Sequence, residues 1–183
     1  MARFAIALGI LVAGAIAVSQ VSLPESLKAQ AVGSELLVSN AKKEGVVILP
    51  SGLQIETIRE GQISEKPGPE DVVMVHYRGT LADGTPFDSS YERGEPAIFP
   101  LQGVIPGWSE GLQHMQPGGQ YRIVIPANLG YGPQGVPGAI PPNAVLVFDV
   151  ELLAFQRASD GAMFPPQGPA GGPVPAPTPE PQQ

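Results

Sequence analysis

One stretch, VIPGWSEGLQHM over residues 104–115, limits what the rest of this chain can become. Ile105, Trp108, Leu112 and Met115 recur at helical spacing and fall on one face. Pro106 suits a first helical turn, where its missing N–H is not needed. Pro117, Gly118 and Gly119 stop the helix. A helix this short is marginal in water, and Gly111 weakens it further. Packing must therefore hold it, and the segments on either side read as strands. The pattern predicts strands gathered around one short helix, which carries the chain's only tryptophan.

The strand signals come from alternation. Residues 72–77 place Val73, Val75 and Tyr77 on one face and Val72, Met74 and His76 on the other. Residues 46–49, 53–58, 97–101, 120–125 and 145–155 read as further strands. Asp83-Gly84 is a hairpin turn signal, with Phe87 and Asp88 on the return strand. Between the last two strands lies a loop, residues 126–143, dense in glycine and proline. A loop of that length inside a compact domain is usually functional. Its composition specifies turns rather than free coil.

The 183 residues allow one domain plus extensions. Residues 1–20 read as a secretory signal or an uncleaved N-terminal anchor, with Arg3 ahead of an apolar run. Residues 21–45 read as a helical lead-in arm, too short to bury a core of its own. Residues 46–157 form the expected domain. Residues 158–183 hold eight prolines and four glycines, and so read as a disordered tail. A net charge of −7 argues against a nucleic-acid partner. With no cysteine, the chain has no disulfide, thiol nucleophile or thiolate metal site. His76 and His114 are read as structural, so neither a metal site nor a cofactor is expected.

VHYRGTLADGTPFDSS, VIPGWSEGLQHM, the Gly130-Tyr131-Gly132 turn and AIPPNAVLVFDVELL together closely resemble the FKBP-type peptidyl-prolyl cis–trans isomerases. The motifs occur in order, from about residue 52 to residue 153. The lead-in AKKEGVVILPSGLQIETIREG is similar to the exported bacterial branch related to the macrophage infectivity potentiator. The resemblance implies an α+β fold, a curled antiparallel sheet of five or six strands wrapped around one short α-helix. It implies rotation about X–Pro bonds, assisting the folding of exported proteins, with a non-catalytic chaperone or peptide-binding module as the alternative. The implied partners are proline-containing polypeptides and macrolide inhibitors. A membrane partner enters only if the N-terminal segment is retained, in which case the protein is anchored facing the periplasm. A monomer or weak dimer is expected, because the arm is short.

By the same resemblance, Trp108 would floor a pocket for the prolyl ring. Tyr77, Phe87, Phe99, Val104, Ile105 and Phe148 would form its walls, with Ile140 closing one side. The Ile105 N–H and the Tyr131 hydroxyl would each donate to a substrate carbonyl. Asp88 would point at the rotating amide, oriented by Tyr77 and Arg93. Ala97 stands where many members carry an aromatic residue, which would leave one wall open. Read without the resemblance, the strand aromatics are ordinary core, Trp108 is a core anchor and Asp88 is a hairpin polar residue. Tyr131, between two glycines, fits core packing least well. The pocket reading needs an opening above the indole.

Overall fold

The computed structural model describes residues 24–161, so the expected leader over 1–20 and nearly all of the tail lie outside the described residues. A helix α1 (Glu25–Asn40) comes first, followed by strands β1 (Val46–Ile48) and β2 (Gln54–Arg59). Next are β3 (Val72–Leu81), β4 (Pro86–Ser89), a single-turn helix α2 (Ser90–Arg93) and β5 (Ala97–Pro100). Then come α3 (Pro106–Leu112), β6 (Gln120–Ile125) and β7 (Leu146–Gln156).

The class is α+β, with one antiparallel sheet of seven strands rather than five or six. Its order is β1-β2-β6-β7-β3-β4, with β5 also paired to β3. The extra strands are very short pieces. Three residues of β1 pair with the start of β2, and β3 serves β5 and β4 in turn along its length. Val72–Val75 of β3 face β5, whereas Arg78–Thr80 face β4. The gap between these pairings falls at His76 and Tyr77. There the buried Ser90 hydroxyl accepts from the Tyr77 N–H at 2.8 Å, taking the place of a missing strand partner.

The α3 helix lies in the curl of this sheet. Ile105, Trp108, Leu112 and Met115 are each at most 1% exposed, among Leu53, Val73, Val75, Ile123 and Ile125. Each such burial is worth about 1.5–3 kcal/mol, ample to hold a seven-residue helix that could not persist alone. Alternation along β3 is as the sequence predicts: Val73, Val75 and Tyr77 are fully buried. Gly84 takes φ 89° in the expected hairpin, which closes through Leu81 N–H to Thr85 O at 2.8 Å.

Candidate active site

The candidate residues converge from five separate elements. Tyr77 comes from β3, Phe87 and Asp88 from β4, Phe99 from β5, Trp108 from α3 and Phe148 from β7. The rings of Tyr77, Phe99 and Phe148 stand nearly perpendicular to the indole, with centroids 5.1, 5.6 and 5.1 Å from it. Phe87 adds an edge contact to Phe148 at 5.5 Å. Edge-to-face geometry of this kind is favourable beyond area burial. It also depends on Gly79. A Cβ there would meet Phe87 Cζ at 2.7 Å and Phe148 Cε1 at 2.8 Å, a requirement that no local sequence signal announces.

The indole is sealed by this packing. Trp108, Tyr77 and Phe148 are all 0% exposed, whereas Phe87, Phe99 and Val104 are half-buried at the rim. The opening expected above the indole is therefore closed by its own aromatic neighbours. Ala97 is also buried, so it leaves no open wall. The Trp108 Nε1 donor is buried without a hydrogen-bond partner among the described residues. Such a group costs about 1–3 kcal/mol and is concentrated at functional positions.

Beside the rings lies a polar triangle. The Tyr77 hydroxyl donates to Asp88 Oδ2 over a very short contact. Arg93 Nη1 donates to Asp88 Oδ1 at 2.5 Å, and Arg93 Nη2 donates to the Tyr77 oxygen at 2.9 Å. The Arg93 guanidinium also lies 5.5 Å from the Tyr77 ring centre. α2 supplies this arginine in a single helical turn, capped by Gly94 at φ 75°. Burial, and then donation to Asp88, pushes the Tyr77 phenol far above its ordinary range, so it stays a donor at working pH. The carboxylate is held by two charge-assisted bonds and cannot wander.

The long loop brings the remaining residues. Gly132 N–H donates to Ala127 O at 2.8 Å, and Asn143 N–H donates to Gly132 O at 2.8 Å. Val136 and Ile140 exchange two backbone bonds of 2.8 Å each, pinning Ile140 at 4% exposure. Asn143 takes φ 59°, which asparagine tolerates. Tyr131 is buried, and its phenol is pushed up by burial first and then by the negative charge of Asp88. Loop and triangle thus share one electrostatic environment. Ile105 precedes α3, so the helix does not use its backbone N–H.

The histidines stand apart from this cluster. His76 contacts Ser90 Oγ at 3.0 Å and stacks on Tyr91, and His114 is exposed. Among the described residues, no three histidine or carboxylate side chains gather at metal-binding distance.

A family model described as FKBP-type peptidyl-prolyl cis-trans isomerase matches residues 64–153. The chain is similar to the crystal structure of a peptidyl-prolyl cis-trans isomerase from Pseudomonas syringae, with TM-score 0.67 and 33% identity, covering 74% of this chain and 99% of that one. The chain belongs to the FKBP-type peptidyl-prolyl isomerase family. The chain is also 52% identical over 129 residues to FkpA of Escherichia coli K12, across 70% of this chain and 47% of that protein. The crystal structure of FkpA from Escherichia coli matches with TM-score 0.69 and 49% identity, over 73% of this chain and 62% of that one. A protein of Legionella longbeachae called outer membrane protein MIP is 46% identical over 130 residues, 71% of this chain and 55% of that one. The chain spans about half the length of these curated relatives. Among the described residues of the FKBP chain, no helix is long and apolar enough to cross a membrane.

Proposed function

We propose that this chain catalyses cis–trans rotation about X–Pro bonds of exported polypeptides, at the aromatic cage around Trp108. The observation that carries the reading is the Tyr77–Asp88–Arg93 triangle set against an aromatic cage in a chain of this family. The cis and trans forms differ by only about 0.5–1 kcal/mol, but a barrier near 18–20 kcal/mol separates them. Twisting the amide removes its resonance and its charge separation. An apolar, water-poor hollow therefore favours the twisted form over the planar one. A millionfold gain requires about 8 kcal/mol of such preference.

The proposed roles follow from position. The Ile105 N–H and the Tyr131 hydroxyl hold substrate carbonyls on either side of the rotating bond. Asp88 faces the amide, fixed by Tyr77 and Arg93. Phe87, Val104 and Ile140 flank the prolyl ring, with Phe148 beneath. Because the indole is sealed, the prolyl ring first meets the half-buried rim of Phe87, Phe99 and Val104. The second reading is a peptide-binding module that uses the same residues without turnover. We further propose export with a cleaved or retained leader, macrolide binding at the same cage, and a monomeric or weakly dimeric state. The leader-like first twenty residues and the similarity to outer membrane protein MIP support export.

A protease-coupled isomerisation assay on a proline tetrapeptide, with and without a macrolide, tests the reading. Acceleration that the macrolide abolishes is expected. Trp108, the only tryptophan, should change its fluorescence when peptide binds. A fluorescence change with only the spontaneous rate of isomerisation selects the binding module and refutes catalysis.

A further inference from the structure

The single turn α2 delivers Arg93 to the polar triangle, yet four residues of helix cannot hold themselves together. Ser89 stands at the N-cap position and makes no side-chain cap bond. Its hydroxyl is buried and unpartnered among the described residues. The usual device for securing a helix start is therefore not used here. The hold on α2 comes from β3.

β3 grips the turn at two points. The first is Ser90, which is 0% exposed and stands in for a strand partner of Tyr77. Its hydroxyl accepts from the Tyr77 N–H at 2.8 Å and donates to the Tyr77 O at 3.3 Å. The second lies on the outer face of the sheet. His76 Nδ1 is 3.0 Å from the same Ser90 oxygen, and the imidazole stacks on Tyr91 with ring centroids 4.8 Å apart and planes 16° from parallel. Tyr91 is 50% exposed, so the stack rather than core burial places its ring. Glu151, across the ladder from His76, sits by the Tyr91 hydroxyl and accepts from Arg59 at 2.9 Å.

Ser90 and Arg93 are three residues apart, so one helical turn puts both on the side facing β3. Tyr77 accordingly meets α2 twice, through its N–H at Ser90 and through its hydroxyl at Arg93 Nη2. Tyr91 lies between those two positions, and its stack on His76 fixes the rotation of the turn. The planar guanidinium needs that fixing, because its bonds to Asp88 and to the Tyr77 oxygen hold only for one direction of approach.

We propose that His76 and Tyr91 are positioning residues of the isomerase: their stack on the outer face of the sheet fixes α2 and, through Arg93, the direction of Asp88 and the Tyr77 hydroxyl. Neither touches the substrate. The role rests on the reading of Asp88 as the group that faces the rotating amide.

The test measures kcat/KM in the coupled assay for Tyr91→Ala, Tyr91→Phe and His76→Ala, and for Tyr91→Ala combined with Arg93→Ala. Urea unfolding confirms that each variant is folded. Tyr91 is half exposed, so its replacement does not threaten folding. Tyr91→Ala and His76→Ala should each lower kcat/KM about fivefold, the worth of one stacked ring pair. Tyr91→Phe keeps the ring and should stay within about twofold of wild type. In the Arg93→Ala chain, Tyr91→Ala should cause no further loss, because the turn has no guanidinium left to deliver. A stack with a merely structural role would not tell the two backgrounds apart.

Unchanged kcat/KM in Tyr91→Ala or His76→Ala overturns the proposal. So does a loss in Tyr91→Phe as large as in Tyr91→Ala, or an equal loss with and without Arg93. If the wild type shows only the spontaneous rate, the isomerase reading fails separately. The stack is then judged by the Arg93 guanidinium resonances in NMR spectra. They should be distinct in wild type and Tyr91→Phe and averaged in Tyr91→Ala, and an unaltered set in Tyr91→Ala overturns the proposal.

Discussion

Replacing Asp88 tests the polar triangle most directly. Its carboxylate is 16% exposed and accepts from Arg93 at 2.5 Å and from the Tyr77 hydroxyl. Asp88→Ala removes the acceptor of two charge-assisted bonds at once. Each is worth about 1.5–3 kcal/mol when fully desolvated. The Arg93 side chain is 28% exposed and can recover water, which reduces its share. Tyr77 keeps the bond it accepts from Arg93 at 2.9 Å. The net loss should be about 2 kcal/mol in urea unfolding. Asp88→Asn keeps the shape and one carbonyl acceptor but no charge, and should lose about half as much. In the coupled assay, kcat/KM should fall about 100-fold for the alanine variant, with the asparagine variant between it and wild type. Stability within about 0.5 kcal/mol of wild type, together with unchanged turnover, would show that the triangle neither braces the fold nor orients the amide.

Three further expectations follow from other contacts. Tyr77 and Tyr131 keep their protons well above the ordinary phenol range when folded, whereas unfolded phenols lose them near pH 10. Their contribution is intact below about pH 10, and stability then falls by about 1.4 kcal/mol per pH unit for each phenol. Tyr131→Phe should reduce that alkaline slope by one phenol's share in urea titrations and lower kcat/KM at pH 7; an unchanged slope would disprove the burial argument. Gly79→Ala forces a Cβ to within 2.8 Å of both Phe87 and Phe148. It should cost about 1–3 kcal/mol and alter the near-ultraviolet aromatic circular dichroism. Asn40→Ala leaves Gln54 Oε1 buried and unpaired, so the urea midpoint should drop by the equivalent of about 1–3 kcal/mol. Asn40→Ala combined with Gln54→Leu should recover part of that loss.

Much of this molecule was written in local pattern. Period-two alternation places Val73, Val75 and Tyr77 inside, and helical spacing puts Ile105, Trp108, Leu112 and Met115 on one buried face. Asp83-Gly84 marks the hairpin, because few residues other than glycine accept its backbone angles. The motifs that carry the resemblance name the candidate residues as well. Tertiary structure decided what depends on meetings across the chain. Only the fold puts Ser90 beneath the Tyr77 N–H, Gly79 under two rings, and Gly33 against Val145. Only the fold closes the aromatic cage over Trp108, because ring packing depends on residues up to 71 positions apart in sequence, Tyr77 and Phe148. Periodicity tells a residue which way to face, but not what it will find there.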